Sequence, residues 1–188
     1  MPGACKTAVP CSGQRELQVL FARIDSSPMS KPSETPATAM LKQHGVQYTE
    51  HIYEYVEHGG TGVSSSSLGV DEHHVVKTLM FENDQRQPLC VLMHGDRKVS
   101  TKELARQIGV KRVAPCTPED AQRHSGYQVG GCSPFGLRKP MPVYMEKSIL
   151  DIAKIFINGG KRGYLLGLSP QEVVRVVKPI MVSAALED

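Results

Sequence analysis

A chain of 188 residues with 40% hydrophobic content is long enough to bury one core, so its length predicts a single main domain. The formal charge of +3 permits contact with nucleic acid without requiring it. The 5 cysteines are odd in number and include no Cys-x-x-Cys pair, which argues against a zinc site or a disulfide framework, and no apolar run reaches membrane-spanning length.

Residues 1–33 are dominated by Pro, Ser, Gly and Cys apart from the apolar patch Leu17-Gln18-Val19-Leu20-Phe21. They are expected to form a disordered extension, with one short helix at most, ahead of a domain at 34–188. Met29-Ser30-Lys31-Pro32 reads like a natural protein start, so the first 28 residues are expected to be an upstream extension absent from the native product. N-terminal sequencing of that product checks this. No basic and apolar signal region stands at the start, and the expected compartment is the cytoplasm.

Thr35-Pro36 predicts a helix start, with a capping threonine before a proline at the first helical position, and Gly45 its end. Tyr48 to Val56 alternates and is β-rich, which predicts the first strand. Gly59 to Ser67 is expected to be a loop, either a lid or a plain surface connection. Strands are expected over Val75–Phe81 and Pro88–His94, joined by a turn through Asn83-Asp84. Ser100 with Glu103 predicts a capping box for a helix ending at Gly109. A short strand over Val110–Ala114 and a helix from Thr117-Pro118 to Gly126 follow. Further strands are expected at Pro142–Met145, Ile155–Ile157 and Tyr164–Leu168, and Ser169-Pro170 predicts a last helix through Val177. Interleaved strands and short helices imply a mixed sheet and not a regular βαβ repeat.

Three stretches carry chemistry. Gly126 to Gly136 holds 4 glycines, a serine and a proline, a composition that breaks helices and strands and leaves a tight loop. Without a Cβ at Gly130 and Gly131 the backbone can approach a ligand and turn N–H groups toward one oxygen; a β-bulge or plain turn fits the same pattern. Lys77 interrupts the apolar run Val75–Phe81. It either snorkels to water or lies in a pocket where desolvation lowers its pKa until a charged ligand arrives. Asn158-Gly159-Gly160-Lys161-Arg162-Gly163 is expected to be a second glycine loop, carrying two cations.

In this order, and with His51-Ile52-Tyr53-Glu54 on the first strand, these segments resemble the YbaK/EbsC family of aminoacyl-tRNA deacylases, relatives of the editing domain inserted in bacterial prolyl-tRNA synthetases. The resemblance runs from about Ala37 to the C-terminus. It implies an α+β fold, a mixed, curled, barrel-like β-sheet with peripheral helices. It also implies a trans-editing enzyme that clears mischarged tRNA, Cys-tRNA(Pro) foremost. In that reading Lys77 holds a terminal nucleotide phosphate or polarises the ester, and Gly130 and Gly131 give backbone N–H groups to the carbonyl oxygen. Tyr53, Thr78, Ser133, Asn158 and Gly159 contact the substrate, while Lys161 and Arg162 reach phosphates. An aminoacyl ester is already activated, so orientation and oxyanion stabilisation suffice without a triad. For cysteine-selective members the resemblance implies that the substrate's own thiol attacks its ester. The resemblance implies no metal or organic cofactor, and prolyl-tRNA synthetase as a partner supplying tRNA selectivity.

Two positions depart from the cysteine-selective pattern. Asn158 stands where those relatives carry serine, and Leu165 where they carry a functional aspartate. These departures leave open a deacylase of Ala, Ser or Thr esters, and a non-catalytic module that binds a tRNA end or a nucleotide. Cys132 inside the glycine loop is either a nucleophile served by His124 or His74, or a small buried side chain.

Overall fold

The computed structural model describes residues 34–186. The extension at 1–33, its short helix and the expected start at Met29 lie outside the described residues. Four of the five α-helices among the described residues begin on a Thr or Ser whose oxygen accepts a backbone N–H of the first turn. They are α1 (Pro36–Gln43), α3 (Thr101–Ile108), α4 (Pro118–Ser125) and α5 (Pro170–Val177), and three of them carry proline in the first turn. At α3 only half of the expected capping box forms. Ser100 accepts from the Glu103 N–H, but the Glu103 carboxylate turns to Arg106 and Gln107.

The strands are β1 (Thr49–Ile52), β2 (Val75–Asn83), β3 (Pro88–His94), β4 (Lys98–Val99), β5 (Val113–Pro115), β6 (Val143–Glu146), β7 (Ile155–Lys161), β8 (Tyr164–Leu168), β9 (Ile180–Val182) and β10 (Ala185–Leu186). The main sheet runs β1-β8-β7-β2-β3-β6-β9 and mixes parallel with antiparallel pairs; β5 also pairs with β2, while β4 and β10 form a separate ribbon. The sheet is apolar on both faces, and β3 is buried along nearly its whole length. On one face Val76, Met80, Ile157 and Leu166 pack with Leu41 of α1 and Val173 of α5. On the other, Phe81 and Val91 pack with Leu104 of α3.

The expected loop at Gly59 to Ser67 is instead helix α2 (Gly60–Leu68). Its serines are compatible with burial because they bond back to their own turn. Ser64 Oγ donates to the Thr61 carbonyl at 2.9 Å and Ser65 Oγ to that of Gly62 at 3.0 Å. Gly69 closes the helix in the left-handed region, φ +64°. The second glycine stretch is a strand and not a loop, since β7 continues through Lys161 with a register irregularity between Asn158 and Lys161. The first strand is shorter than expected, and the ribbon strands and β9 were not foreseen.

Candidate active site

Strand β2 is covered on one edge by two different strands, and they do not meet. β7 runs parallel to it only at Val75 and Val76, while β5 pairs with it from Phe81 to Asn83. Between them opens a pocket of about 580 Å³, lined among others by Tyr53, Lys77, Thr78, Gly130, Asn158 and Leu165. Val75, Phe156 and Leu165 form one apolar cluster. Lys77 and Asn158, each two residues further along its strand, therefore share that face.

Lys77 is half-buried, and its Nζ donates to the Arg97 carbonyl at 2.6 Å. It neither snorkels freely nor sits in an apolar hole. The turn carrying Arg97 is itself fastened, because the Arg97 N–H returns to the His94 carbonyl at 3.2 Å and the Asp96 carboxylate lies 3.0 Å from His73 Nδ1. Burial alone would raise the Asp96 carboxyl, but the His73 hydrogen bond and charge, with Arg97 beside it, hold it below the ordinary range. His94 stacks on His73 with ring centroids 3.7 Å apart, and burial pushes its pKa down against the opposing bond to the His73 carbonyl. Among the described residues only His73, His94 and Asp96 bring three ligand atoms close enough for a metal ion. All three are committed internally, with His94 bonded through Nδ1 to the His73 carbonyl and through Nε2 to Ser148.

The glycine loop is pinned by its carbonyls. Asn158 Nδ2 donates to Gly130 and Arg162 Nε to Val129, both at 2.9 Å. Gly130 has φ +88°, and a Cβ there would lie 2.8 Å from Tyr55 Oη. The expectation of paired N–H donors needs correction at Gly131, whose N–H closes a turn on the Gln128 carbonyl at 2.9 Å. A Cβ on Gly131 would meet the backbone of Lys161 and Arg162 at 3.0 Å, so close packing is what requires glycine there.

Other expected contacts also move. Ser133 is fully buried outside the pocket, its hydroxyl accepting the Phe135 N–H at 3.5 Å. Gly159 packs against the Tyr164 ring, and its carbonyl accepts Thr35 Oγ1 at 2.6 Å, which makes it a core position. Lys161 lies on β7 outside the lining, whereas Arg162 lines the pocket with its guanidinium 4.9 Å from the centre of the Tyr55 ring. Cys132 lines the pocket, but its polar neighbours are the Gln128 carbonyl and Ser125 Oγ, not a histidine, and burial pushes its thiol up. Tyr55 escaped the sequence reading although its spacing from Tyr53 was a signal. Thr78 and Asn158 both line the pocket, and each has a buried side-chain oxygen, Thr78 Oγ1 and Asn158 Oδ1, without a hydrogen-bond partner.

Residues 62–176, more than half of the chain, match the aminoacyl-tRNA editing domain. The chain belongs to this family. A relative in Enterococcus faecalis, named as a candidate Cys-tRNA(Pro)/Cys-tRNA(Cys) deacylase, EbsC, is 30% identical over 142 residues, covering 75% of this chain and 87% of the relative. A proline–tRNA ligase of Streptococcus equi subsp. zooepidemicus is 29% identical over 104 residues, 55% of this chain but only 17% of the ligase. The fold agrees with a solved structure described as a candidate trans-editing enzyme for prolyl tRNA synthetase (TM-score 0.72, 19% identity, 84% of this chain and 99% of that one). It agrees equally with a solved hypothetical protein (TM-score 0.75, 21% identity, 81% and 100%). The editing-domain fold is thus α+β with a mixed sheet, as the sequence implied. Among the described residues no helix is long and apolar enough to cross a membrane.

Proposed function

We propose that this editing domain is a trans-editing deacylase that cleaves the ester of a mischarged tRNA, Cys-tRNA(Pro) first among its substrates. The observation that carries the reading is the gap in β2. A lysine ammonium anchored on a backbone carbonyl, two unpartnered polar atoms and a clamped glycine loop meet in one apolar-walled pocket. The names of the relatives point the same way.

In hydrolysis, water adds to the ester carbonyl, the acyl C–O bond breaks, and the tRNA leaves with its hydroxyl restored while the amino acid departs as a carboxylate. With a cysteinyl ester the substrate sulfur can replace water. The C–S bond then forms as the C–O bond breaks, and the thiol proton goes to the leaving oxygen. Lys77 supplies a fixed positive charge for the developing oxyanion or the terminal phosphate. Gly130 remains at the pocket as the member of the glycine pair able to approach the carbonyl, and Tyr53 walls the acyl group. Arg162 lies at the lining for phosphate contact. Prolyl-tRNA synthetase is the partner that supplies tRNA selectivity.

Leu165 favours a second reading of the substrate. It is 3% exposed, lines the pocket and pairs with Asn158 across β7 and β8, so an apolar wall stands where a carboxylate was implied. Such a wall suits the methyl of an Ala ester best, and the missing carboxylate keeps Ser and Thr esters as further alternatives. Release of labelled amino acid from Cys-, Ala-, Ser- and Thr-tRNA, at enzyme far below substrate, separates the cases. Turnover of any ester supports a deacylase and names its substrate, whereas protection of every ester without turnover identifies a binding module.

A further inference from the structure

The pairing pattern around β2 singles out one residue. The Cys90 N–H donates to the Pro142 carbonyl, so residues of β3 with even numbers turn their backbone groups to β6 and those with odd numbers to β2. Lys77 and Leu79, opposite Met93 and Val91, are thereby engaged with β3. The backbone groups of Val76, Thr78 and Met80 point to the other edge. There Val76 meets β7, and the Met80 carbonyl accepts the Cys116 N–H at 3.0 Å. Thr78 lies between the two, and no strand among the described residues covers its N–H and carbonyl on that edge. Its hydroxyl is buried without a hydrogen-bond partner, and the residue lines the pocket. A donor and acceptor left open in mid-strand, beside an unpartnered hydroxyl, form a ready place for a ligand that carries the complementary pair.

We infer that the aminoacyl group docks at Thr78 as the missing strand residue, its carbonyl oxygen accepting the Thr78 N–H and its α-amino group donating to the Thr78 carbonyl. A single amino acid carries its amine and carbonyl at the spacing by which opposed residues of an antiparallel bridge exchange two hydrogen bonds. The substrate is therefore read as an α-aminoacyl unit by main-chain groups, whatever its side chain. The Thr78 N–H also provides the backbone donor that Gly131 spends on Gln128. This inference rests on the proposed deacylase reading for its ligand, and binding and turnover test the two separately.

Two non-hydrolysable adenosine analogues serve as probes, one carrying an amide-linked alanyl group and the other a propionyl group, which lacks the amine. They are titrated into the wild-type chain and into a chain whose residue 78 is the α-hydroxy analogue of threonine, which exchanges the N–H for an ester oxygen. That N–H faces the gap, so the exchange removes no donor to β3; it weakens the Lys77 carbonyl as an acceptor from β3, and thermal melting checks that the fold is kept. The alanyl probe should bind the wild type about tenfold tighter than the propionyl probe, as expected for one lost hydrogen bond to a charged group. The backbone ester should weaken alanyl binding and lower ester turnover about 100-fold, the usual cost of an oxyanion donor. Equal affinity for the two probes, binding of neither, or turnover untouched by the backbone ester overturns the docking at Thr78. Turnover that persists through the exchange leaves the deacylase reading standing. Probe binding as expected without turnover of any ester upholds the docking and removes the deacylase.

Discussion

Asn158 holds Gly130. Its Nδ2 donates to the Gly130 carbonyl at 2.9 Å across 28 positions of sequence, so a residue at the point where β7 leaves β2 fixes the loop on the far side of the pocket. Asn158→Ala should release the loop and lower kcat/KM about tenfold, the equivalent of about 1.4 kcal/mol for one hydrogen bond. Asn158→Asp should cost more, because a carboxylate would face the Gly130 carbonyl with no donor between them. Steady-state kinetics on the best ester of the panel measures both, and an unchanged kcat/KM in Asn158→Ala would show the clamp to be dispensable.

Gly131→Ala should destabilise the fold by about 1–3 kcal/mol, because its Cβ would press on the Lys161–Arg162 backbone and backbone cannot swing aside as a flexible side chain does. Gly160→Ala should cost at least as much. It combines φ +93° with a Cβ placed 2.8 Å from the Tyr127 ring. Urea denaturation followed by circular dichroism reads both, and wild-type midpoints would contradict the packing role.

Cys132→Ala should retain near-normal turnover at a stability cost of about 1 kcal/mol. A nucleophilic thiol needs a lowered pKa or a base in contact, whereas burial raises this one and its neighbours are a carbonyl and a hydroxyl. Abolished turnover in a folded Cys132→Ala protein would restore the cysteine-hydrolase mechanism.

Stability should fall as the pH drops below about 6.5, the ordinary value for histidine. Burial holds the folded-state pKa of His94 below that value, so the unfolded chain binds more protons there and unfolding gains as pH falls. The groups facing His94 are His73, Asp96, Ser148 and Glu146. Urea midpoints between pH 7.5 and 5 should drop more steeply for the wild type than for His94→Gln. Parallel slopes would remove His94 as the cause.

Much of this architecture was legible because local rules and tertiary packing agree. Thr35, Ser100, Thr117 and Ser169 cap helices where the sequence places them, and the apolar runs that become β2, β3 and β8 lie where they were expected. Helix α2 was hidden because glycine and serine have low helix propensity in isolation; the fold overrides this by letting Ser64 and Ser65 bond to their own turn while buried. Of the residues that the sequence nominates, Lys77, Thr78, Asn158, Gly130, Arg162 and Tyr53 line the pocket. Ser133, Gly159 and Lys161 lie outside its lining, since residues adjacent on a strand or turn face opposite ways and a short motif does not state which. The Arg97 carbonyl beneath Lys77 had no signal at all, because a backbone acceptor 20 positions away is a property of the β3–β4 turn and not of a side chain.

The central claim is that this pocket cleaves aminoacyl esters with Lys77 in the working position. Release of cysteine from Cys-tRNA(Pro), measured at substoichiometric enzyme for the wild type and Lys77→Ala side by side, tests it most directly. The account predicts multiple turnovers for the wild type and a rate at least about 100-fold lower for Lys77→Ala with the fold intact, the scale of one lost electrostatic stabiliser. Equal rates for the two proteins, or an ester that both bind and neither cleaves, would contradict it.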